Sequence, residues 1–214
     1  MTYLNYSHDE NYNYNLNEMG SVERDIEYNT LSPLNRLDLY TPTQVKDNYP
    51  LIIYFHGGGF QKGDKTHHLM GILHGLERGY AVAAINYRTG LVEPYPALLE
   101  DCCDAIKFLK KNADQYKLNP KKFILWGDTH GGYIASKIAI EGPKGLLDHL
   151  VTEFPNENLD IAGVISFYGP MNLYDFHQVR DFKMDLQTFN MQEEALLEFL
   201  KGLNPLDHID GSEC

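Results

Sequence analysis

The segment that most constrains the fold is Lys122–Ala135, KFILWGDTHGGYIA, in which an apolar run meets a glycine turn. The residues KFILW are strand-like, and the residues from Tyr133 onward have the apolar spacing of a helix. Only the short turn Gly127–Gly131 separates the two runs. This pattern predicts that a buried strand passes directly into a helix, with the residue at the bend projecting from the end of a sheet.

Further apolar runs predict that this strand belongs to a mostly parallel sheet. Continuous apolar runs are typical of strands buried on both faces; they occur at Leu51–Gly59, Tyr80–Arg88, Lys121–Gly127 (after a break at Asn119-Pro120) and Leu159–Pro170. Segments with helical spacing alternate with them, at His67–Gly79, Tyr95–Tyr116, Tyr133–Ile140 and Met191–Gly202. Two alternating segments, Val22–Thr30 and Asn35–Pro42, predict antiparallel strands. The fold class is therefore α/β, a wound sheet with an antiparallel N-terminal edge.

The composition favours a single globular domain that does not bind nucleic acid. The chain has 214 residues, of which 43% are hydrophobic and 22% charged, and its formal net charge is −12. An acidic excess argues against nucleic-acid binding, because phosphates are bound by basic patches. Residues 1–20 are rich in Asn and Tyr and predict an N-terminal arm. Residues 21–214 predict one domain with a cap-like segment near 171–200.

The sequence contains no signal for a membrane span, for export or for a metal site. No apolar run approaches the ~20 residues of a transmembrane helix, and the N-terminus lacks the basic start and apolar stretch of a secretory signal. Cys102, Cys103 and Cys214 have neither a metal-ligand spacing nor the pattern of a disulfide framework. We therefore expect a cytoplasmic protein with no cofactor and no metal.

Two glycine motifs carry the candidate chemistry. The frame Gly127–Gly131 matches the nucleophile elbow G-x-S-x-G, with Thr129 at the serine position. The motif HGGGF, His56–Phe60, follows another buried strand, and its glycines let backbone N–H groups face a ligand. Ester hydrolysis passes through an oxyanion that needs such donors. The elbow motif and the glycine motif together predict these donors at Gly58, Gly59 and His130.

With these motifs, the chain resembles an α/β-hydrolase of the carboxylesterase kind. It is most similar to the hormone-sensitive-lipase-like esterases and to the microbial acetyl-xylan and feruloyl esterases. The resemblance extends from about Asn35 to Pro170 and is carried by LDLYTP, LIIYFHGGGF, AINYR, YPALLEDCCDAIKFLKKNA, LNPKKFILWGDTHGGYIA and ISFYGP. It implies the α/β-hydrolase fold and hydrolysis of small acyl or acetyl esters.

The sequence departs from that family at the elbow and beyond it. The elbow commonly reads G-D-S-A-G-G in the family, whereas Thr129 and His130 stand here in place of the serine and the small residue. The triad follows the chain order nucleophile, acid, histidine, and the usual acid and base positions are expected to be absent from a C-terminally shortened domain. Asp175 and His177 follow the fourth buried strand and are candidates for acid and base; the alternative is a polar cap loop.

Two functions therefore stay open. The first is a carboxylesterase of weak activity that acts on small esters through Thr129. The second is a catalytically dead pseudo-hydrolase that binds a ligand or a partner. If the last strands of the fold are missing, the strand near Leu159–Pro170 becomes a sheet edge, and we expect a homodimer through that edge.

Overall fold

The computed structural model describes residues 19–150, 153–179, 186 and 188–211. The strands are β1 (Met19–Glu27), β2 (Arg36–Pro42), β3 (Tyr49–Phe55), β4 (Ala81–Ile85), β5 (Leu118–Asp128) and β6 (Gly163–Phe167). The α-helices are α1 (Leu69–Leu73), α2 (Ala97–Lys111), α3 (His130–Glu141), α4 (Leu173–Val179) and α5 (Glu193–Lys201). Short 3₁₀ helices lie at Leu76–Arg78, Gly142–Lys144 and Pro205–His208.

These strands form one six-stranded sheet in the order β1-β2-β4-β3-β5-β6. Strands β4, β3, β5 and β6 are parallel to their neighbours in that order, and β1 and β2 are antiparallel additions at the β4 side. The predicted mostly parallel sheet with an antiparallel N-terminal edge is confirmed. Because β3 and β5 are adjacent and parallel, the two glycine motifs that follow them lie at the same edge of the sheet.

Helices cover both faces of the central strands. On one face, α2 and α3 bury side chains against β3, β4 and β5. The residues of one side of α2 are fully buried: Leu98, Cys102, Ala105, Ile106 and Leu109. On the other face, α1 packs Leu69, Ile72 and Leu73 into a smaller cluster with Tyr54 and Val82. The carboxyl ends of β3 and β5 are thus held rigidly between two layers.

Several predicted boundaries were wrong, each for a local reason. The helix expected over His67–Gly79 is only α1 followed by a 3₁₀ turn, because Gly75 packs against Ile52 and Val82 where a side chain would collide. The expected break at Asn119-Pro120 lies inside β5. There the pairing with β3 shifts register between Tyr49 and Leu51, which accommodates the proline at an irregularity of the ladder.

The strand predicted to be buried over Leu159–Pro170 is instead a short, exposed edge strand. Within the described part of the chain, β6 pairs only with β5, and its residues Val164–Phe167 are exposed. Phe167 keeps 55% of its surface exposed and Tyr168 keeps 62%. The apolar composition predicted burial on both faces; α3 packs against β6 near Ser166, but no described strand lies on its outer side.

The two ends of the chain lie partly outside the described residues. The predicted arm over residues 1–20 falls outside them except for Met19 and Gly20, which belong to β1. The cap-like segment near 171–200 contains α4 and most of α5, and residues 180–185 and 187 lie outside the description. Leu196 and Leu200 of α5 are buried in the main core, as their spacing predicted. Of the helices in the described ranges, none has the length and apolarity to cross a membrane.

Candidate functional site

Thr129 occupies a strained bend between β5 and α3. Its backbone has φ 48° and ψ −123°, and it is the N-cap residue of α3. Positive φ is unfavourable for a β-branched residue, so this conformation costs on the order of 1–3 kcal/mol. The bend is made possible by Gly127, where a Cβ would lie 2.1 Å from the carbonyl oxygen of Gly131.

The loop that follows β3 meets this bend directly. A Cβ placed on Gly57 would lie 2.5 Å from Oγ1 of Thr129. A Cβ on Gly131 would lie 2.2 Å from the carbonyl oxygen of Phe55. The glycine loop and the first turn of α3 are therefore in backbone contact, and the Thr129 hydroxyl lies against the start of the HGGGF motif.

Gly58 and Gly59 both adopt the left-handed region, with φ 133° and 67°. A Cβ on Gly58 would lie 1.7 Å from the carbonyl oxygen of Lys62, so only glycine fits that position. No described group accepts a hydrogen bond from the backbone N–H of either glycine. His130 is the first residue of α3, where the N–H has no acceptor inside the helix. The three N–H groups predicted as oxyanion donors therefore have no acceptor among the described residues.

The Thr129 hydroxyl is enclosed, and among the described residues it has no hydrogen-bond partner. The predicted acid and base residues do not contact it. Asp175 is exposed in the first turn of α4, where its carboxylate accepts a hydrogen bond from the side chain of Asn172 at 2.7 Å, as a helix cap. His177 lies in the last turn of the same helix. Their acid and base roles stay predictions.

A buried hydrogen-bonded chain links the three strand ends around the elbow. The Tyr87 hydroxyl donates to the carbonyl oxygen of His56 at 2.6 Å and lies 3.0 Å from Nε2 of His130. Since the Tyr87 hydroxyl gives its proton to the His56 carbonyl, its oxygen can only accept from His130. Nε2 of His130 therefore carries the proton, and Nδ1 is unprotonated, buried and without a hydrogen-bond partner among the described residues. His56 donates from Nδ1 to the carbonyl oxygen of Gly57 at 2.9 Å and stacks on Tyr87.

Both buried histidines are held neutral. Burial lowers the pKa of His56 to about 4, and burial followed by repulsion from His56 lowers the pKa of His130 well below its usual range. Such a histidine takes up a proton near pH 6.5 in the unfolded protein but only at a lower pH in the folded protein. The free energy of unfolding therefore decreases as the pH falls from the unfolded-state pKa to the folded-state pKa.

We therefore expect the free energy of unfolding to decrease as the pH is lowered from about 6.5 to about 4. His56 alone contributes about 3 kcal/mol of that decrease, because one pKa unit corresponds to about 1.4 kcal/mol. Urea unfolding across this pH range measures it, with His56→Gln as the variant and His74→Gln, an exposed histidine on α1, as the control. Equal pH slopes for His56→Gln and the native protein would contradict this account.

Sequence reasoning missed a second polar group at the elbow. Nδ1 of His68 lies 2.7 Å from Oδ2 of Asp128, the residue before Thr129. The Tyr54 hydroxyl donates to Oδ1 of Asp128 at 2.9 Å and also contacts the carbonyl oxygen of His67 at 2.7 Å. Burial, followed by the Asp128 carboxylate, raises the pKa of Tyr54. The sequence feature that could have indicated His68 is its position shortly after the glycine loop.

Apolar side chains close the site beyond His130. The Phe60 ring lies 4.9 Å from the His130 ring, measured between centroids. A cavity of only about 10 Å³ remains between five apolar residues: Phe60, Leu173, Phe176, Phe189 and Leu200. Among the described residues, no group of three or more His, Cys, Asp or Glu side chains is placed to hold a metal ion.

Gly57→Ala tests the contact between the glycine loop and Thr129. The added methyl would occupy the position 2.5 Å from Oγ1 and 3.0 Å from Oδ2 of Asp128. We expect turnover of p-nitrophenyl acetate to decrease about 100-fold, the loss seen when an oxyanion donor is displaced. Gly71→Ala, where a Cβ meets nothing within 4 Å, is the matched control. Equal turnover for the two variants would show that the loop does not border the reacting groups.

Comparisons with known proteins identify the family of this chain. The family model described as BD-FAE matches residues 37–214. Carboxylesterase NlhH of Mycobacterium tuberculosis is 31% identical over 125 residues, which cover 58% of this chain and 39% of the relative. Lipase 2 of Moraxella sp. is 35% identical over 173 residues, covering 74% of this chain and 37% of the relative. The chain thus spans about two fifths of the length of these curated relatives.

Solved structures show the same fold. A truncated form of a carbohydrate esterase from gut microbiota superposes with a TM-score of 0.79 at 17% identity, covering 92% of this chain and 75% of that one. Esterase B from Lactobacillus Rhamnosis superposes with a TM-score of 0.75 at 21% identity, covering 91% and 62%. At such identities the likeness concerns the fold, and it confirms the predicted α/β-hydrolase architecture.

Proposed function

The chain belongs to the BD-FAE family and has an α/β-hydrolase fold of the carboxylesterase type, and on that premise we propose that it hydrolyses carboxylic esters with small acyl groups. The observation that carries the proposal is the contact of the Thr129 hydroxyl with the glycine loop, at the carboxyl ends of two parallel strands. In open α/β sheets, ligands bind outside these strand ends.

In the proposed reaction, Thr129 is the nucleophile and the glycine loop stabilises the oxyanion. Oγ1 of Thr129 forms a bond to the acyl carbon, the carbonyl oxygen becomes negatively charged, and the alcohol leaves. Water then hydrolyses the acyl-threonine. The backbone N–H groups of Gly58, Gly59 and His130 are the proposed donors to the oxyanion. The N-terminus of α3, which begins at the elbow, adds a positive electrostatic potential that stabilises the oxyanion.

A small acyl group is favoured by the space beside the elbow. On the side of Phe60, the packed residues Leu173, Phe176, Phe189 and Leu200 leave only about 10 Å³ of free space, so a long acyl chain has no room in that direction. Acetyl esters, including acetylated sugars, are therefore the substrates we propose. The names of the carbohydrate esterase and lipase relatives are consistent with an ester substrate.

The second candidate function is a pseudo-hydrolase that binds a ligand or a partner without turnover. One observation favours it: Oγ1 of Thr129 is enclosed, and no described residue hydrogen-bonds to it. A nucleophilic hydroxyl is weak unless a base takes its proton. In this case the anion pocket would bind acyl compounds and release them unchanged.

Turnover of p-nitrophenyl acetate distinguishes the two functions. For the esterase, we expect native turnover above the buffer rate and its loss in Thr129→Ala, while Thr30→Ala, an exposed threonine, retains it. Turnover that is unchanged in Thr129→Ala would contradict Thr129 as the nucleophile. Binding of a non-hydrolysable acyl phosphonate without turnover would favour the pseudo-hydrolase.

We propose a cytoplasmic location for the protein. We also propose that two copies of the chain associate through β6. The exposed edge carries Val164, Ile165 and Phe167 and no charged residue, and an unpaired apolar edge favours pairing with another chain. Ile165→Lys is expected to shift the protein from dimer to monomer in light scattering, whereas Val45→Lys, an exposed apolar residue outside the sheet, leaves the dimer intact. A native protein that is monomeric at high concentration would contradict the dimer.

A further inference from the structure

A histidine and a carboxylate form a hydrogen-bonded pair beside Thr129. Nδ1 of His68 lies 2.7 Å from Oδ2 of Asp128; the carboxylate is buried, and the imidazole is 71% exposed. Asp128 directly precedes Thr129 at the end of β5. His68 follows the glycine loop, at the start of α1, with a positive φ of 52°. Two segments distant in sequence thus bring an acid and a base to the elbow.

The hydrogen bonds define which nitrogen of His68 carries a proton. The other oxygen of the Asp128 carboxylate, Oδ1, accepts from the Tyr54 hydroxyl, which holds the carboxylate in place. A carboxylate accepts but does not donate, so Nδ1–H of His68 is the donor to it. The lone pair of a neutral imidazole is then on Nε2, on the side of the ring away from Asp128. No described residue hydrogen-bonds to Nε2 of His68.

The Asp128 carboxylate and the Thr129 hydroxyl both pack against Gly57. A Cβ placed on Gly57 would lie 2.5 Å from Oγ1 of Thr129 and 3.0 Å from Oδ2 of Asp128. The carboxylate oxygen that holds His68 and the Thr129 hydroxyl are therefore close neighbours at the end of β5. Two further histidines near the elbow, His56 and His130, are buried and neutral.

We propose that His68, oriented by Asp128, is the general base and acid for ester hydrolysis at Thr129; this rests on the proposed function and names the proton acceptor that it lacks. A carboxylate, an imidazole and a hydroxyl are the groups of a nucleophilic triad. Here the order along the chain is histidine, acid, nucleophile, which differs from the order of this fold.

In acylation, Oγ1 of Thr129, which is enclosed in the free protein, must first become open to water. Its proton then passes through a water molecule to Nε2 of His68, Oγ1 bonds to the acyl carbon, and the departing alkoxide takes the proton from Nε2. In deacylation, Nε2 takes a proton from water, the hydroxide oxygen bonds to the acyl carbon, and the bond to Oγ1 breaks. Oγ1 then recovers the proton, and the products are a carboxylic acid and an alcohol.

Covalent labelling by diethyl p-nitrophenyl phosphate tests this role without requiring turnover. Oγ at position 129 attacks phosphorus and p-nitrophenolate leaves, so the rate is read as absorbance in a single reaction. With Thr129→Ser as the parent, His68→Gly is expected to lower the labelling rate at least about 100-fold, within the range for loss of a general base. Added imidazole is expected to restore part of the rate, because glycine leaves a cavity and tolerates positive φ.

The chain offers a matched control and a second variant. His74 at the other end of α1 also pairs through Nδ1 with a carboxylate, Glu77, and His74→Gly is expected to label at the parent rate. His68→Gln, which keeps a hydrogen-bonding side chain but no base, is expected to label as slowly as His68→Gly. Labelling of both His68 variants at the parent rate would overturn this inference alone. A parent that is not labelled at all would contradict the proposed function as well.

Discussion

Thr129→Ser is expected to increase turnover of p-nitrophenyl acetate at least about tenfold over the native protein. Threonine at φ 48° is strained by its β-branch, and serine relieves part of that strain. Serine also removes a methyl group from the approach to the acyl carbon. A decrease of about 1.4 kcal/mol in the activation free energy corresponds to a tenfold rate increase, and we assign this decrease to the loss of the methyl group that crowds the acyl carbon.

The same substitution separates a weak enzyme from an inactive one. If the site is otherwise complete, Thr129→Ser gains activity and Thr129→Ala loses it, with similar unfolding midpoints for both variants in urea. Steady-state kinetics with acetyl and hexanoyl esters measures the effect and its dependence on acyl length. A Thr129→Ser variant no faster than Thr129→Ala would contradict an esterase site at this elbow.

Arg88→Met is expected to destabilise the protein by about 3–5 kcal/mol, the loss typical of a buried ion pair with one partner removed. The guanidinium of Arg88 lies 2.7 Å from Oδ1 of the fully buried Asp101 and also bonds Glu93 and Glu100. Methionine keeps the length of the side chain but leaves the Asp101 carboxylate buried without its counter-charge. This residue joins the end of β4 to α2, so its loss affects the whole core.

Urea unfolding of Arg88→Met measures this loss, and Arg24→Met is the matched control. Arg24 is mostly exposed and lies 3.7 Å from Asp38, which keeps a second partner in Lys65. The control is therefore expected to unfold at nearly the native urea concentration. If the two variants unfold at the same urea concentration, the buried network around Asp101 does not stabilise the fold as described.

The sheet and the elbow could be predicted from the sequence because short sequence patterns mark both the buried strands and the positions where they end. Continuous apolar runs identified β3, β4 and β5, and the glycines after β3 and β5 marked their carboxyl ends. Since parallel neighbours end at the same edge, the two motifs were expected to meet. The two motifs do meet, because a Cβ placed on Gly57 would lie only 2.5 Å from Oγ1 of Thr129.

The rest depended on contacts that the sequence does not encode locally. The exposure of β6 depends on which elements lie beside it. The sequence of an apolar strand is the same whether or not another strand covers its outer side. The pairing of His68 with Asp128 joins residues 60 positions apart. The buried His130 is stabilised by Tyr87, whose position opposite the elbow comes from the strand order.

The most direct test of the account is a crystal structure of the protein after reaction with diethyl p-nitrophenyl phosphate. We expect phosphorus to be bonded to Oγ1 of Thr129. The phosphoryl oxygen is expected about 2.7–3.1 Å from the backbone nitrogens of Gly58, Gly59 and His130, the geometry of an oxyanion hole. A phosphoryl oxygen directed away from these nitrogens, or an adduct on any other residue, would contradict it.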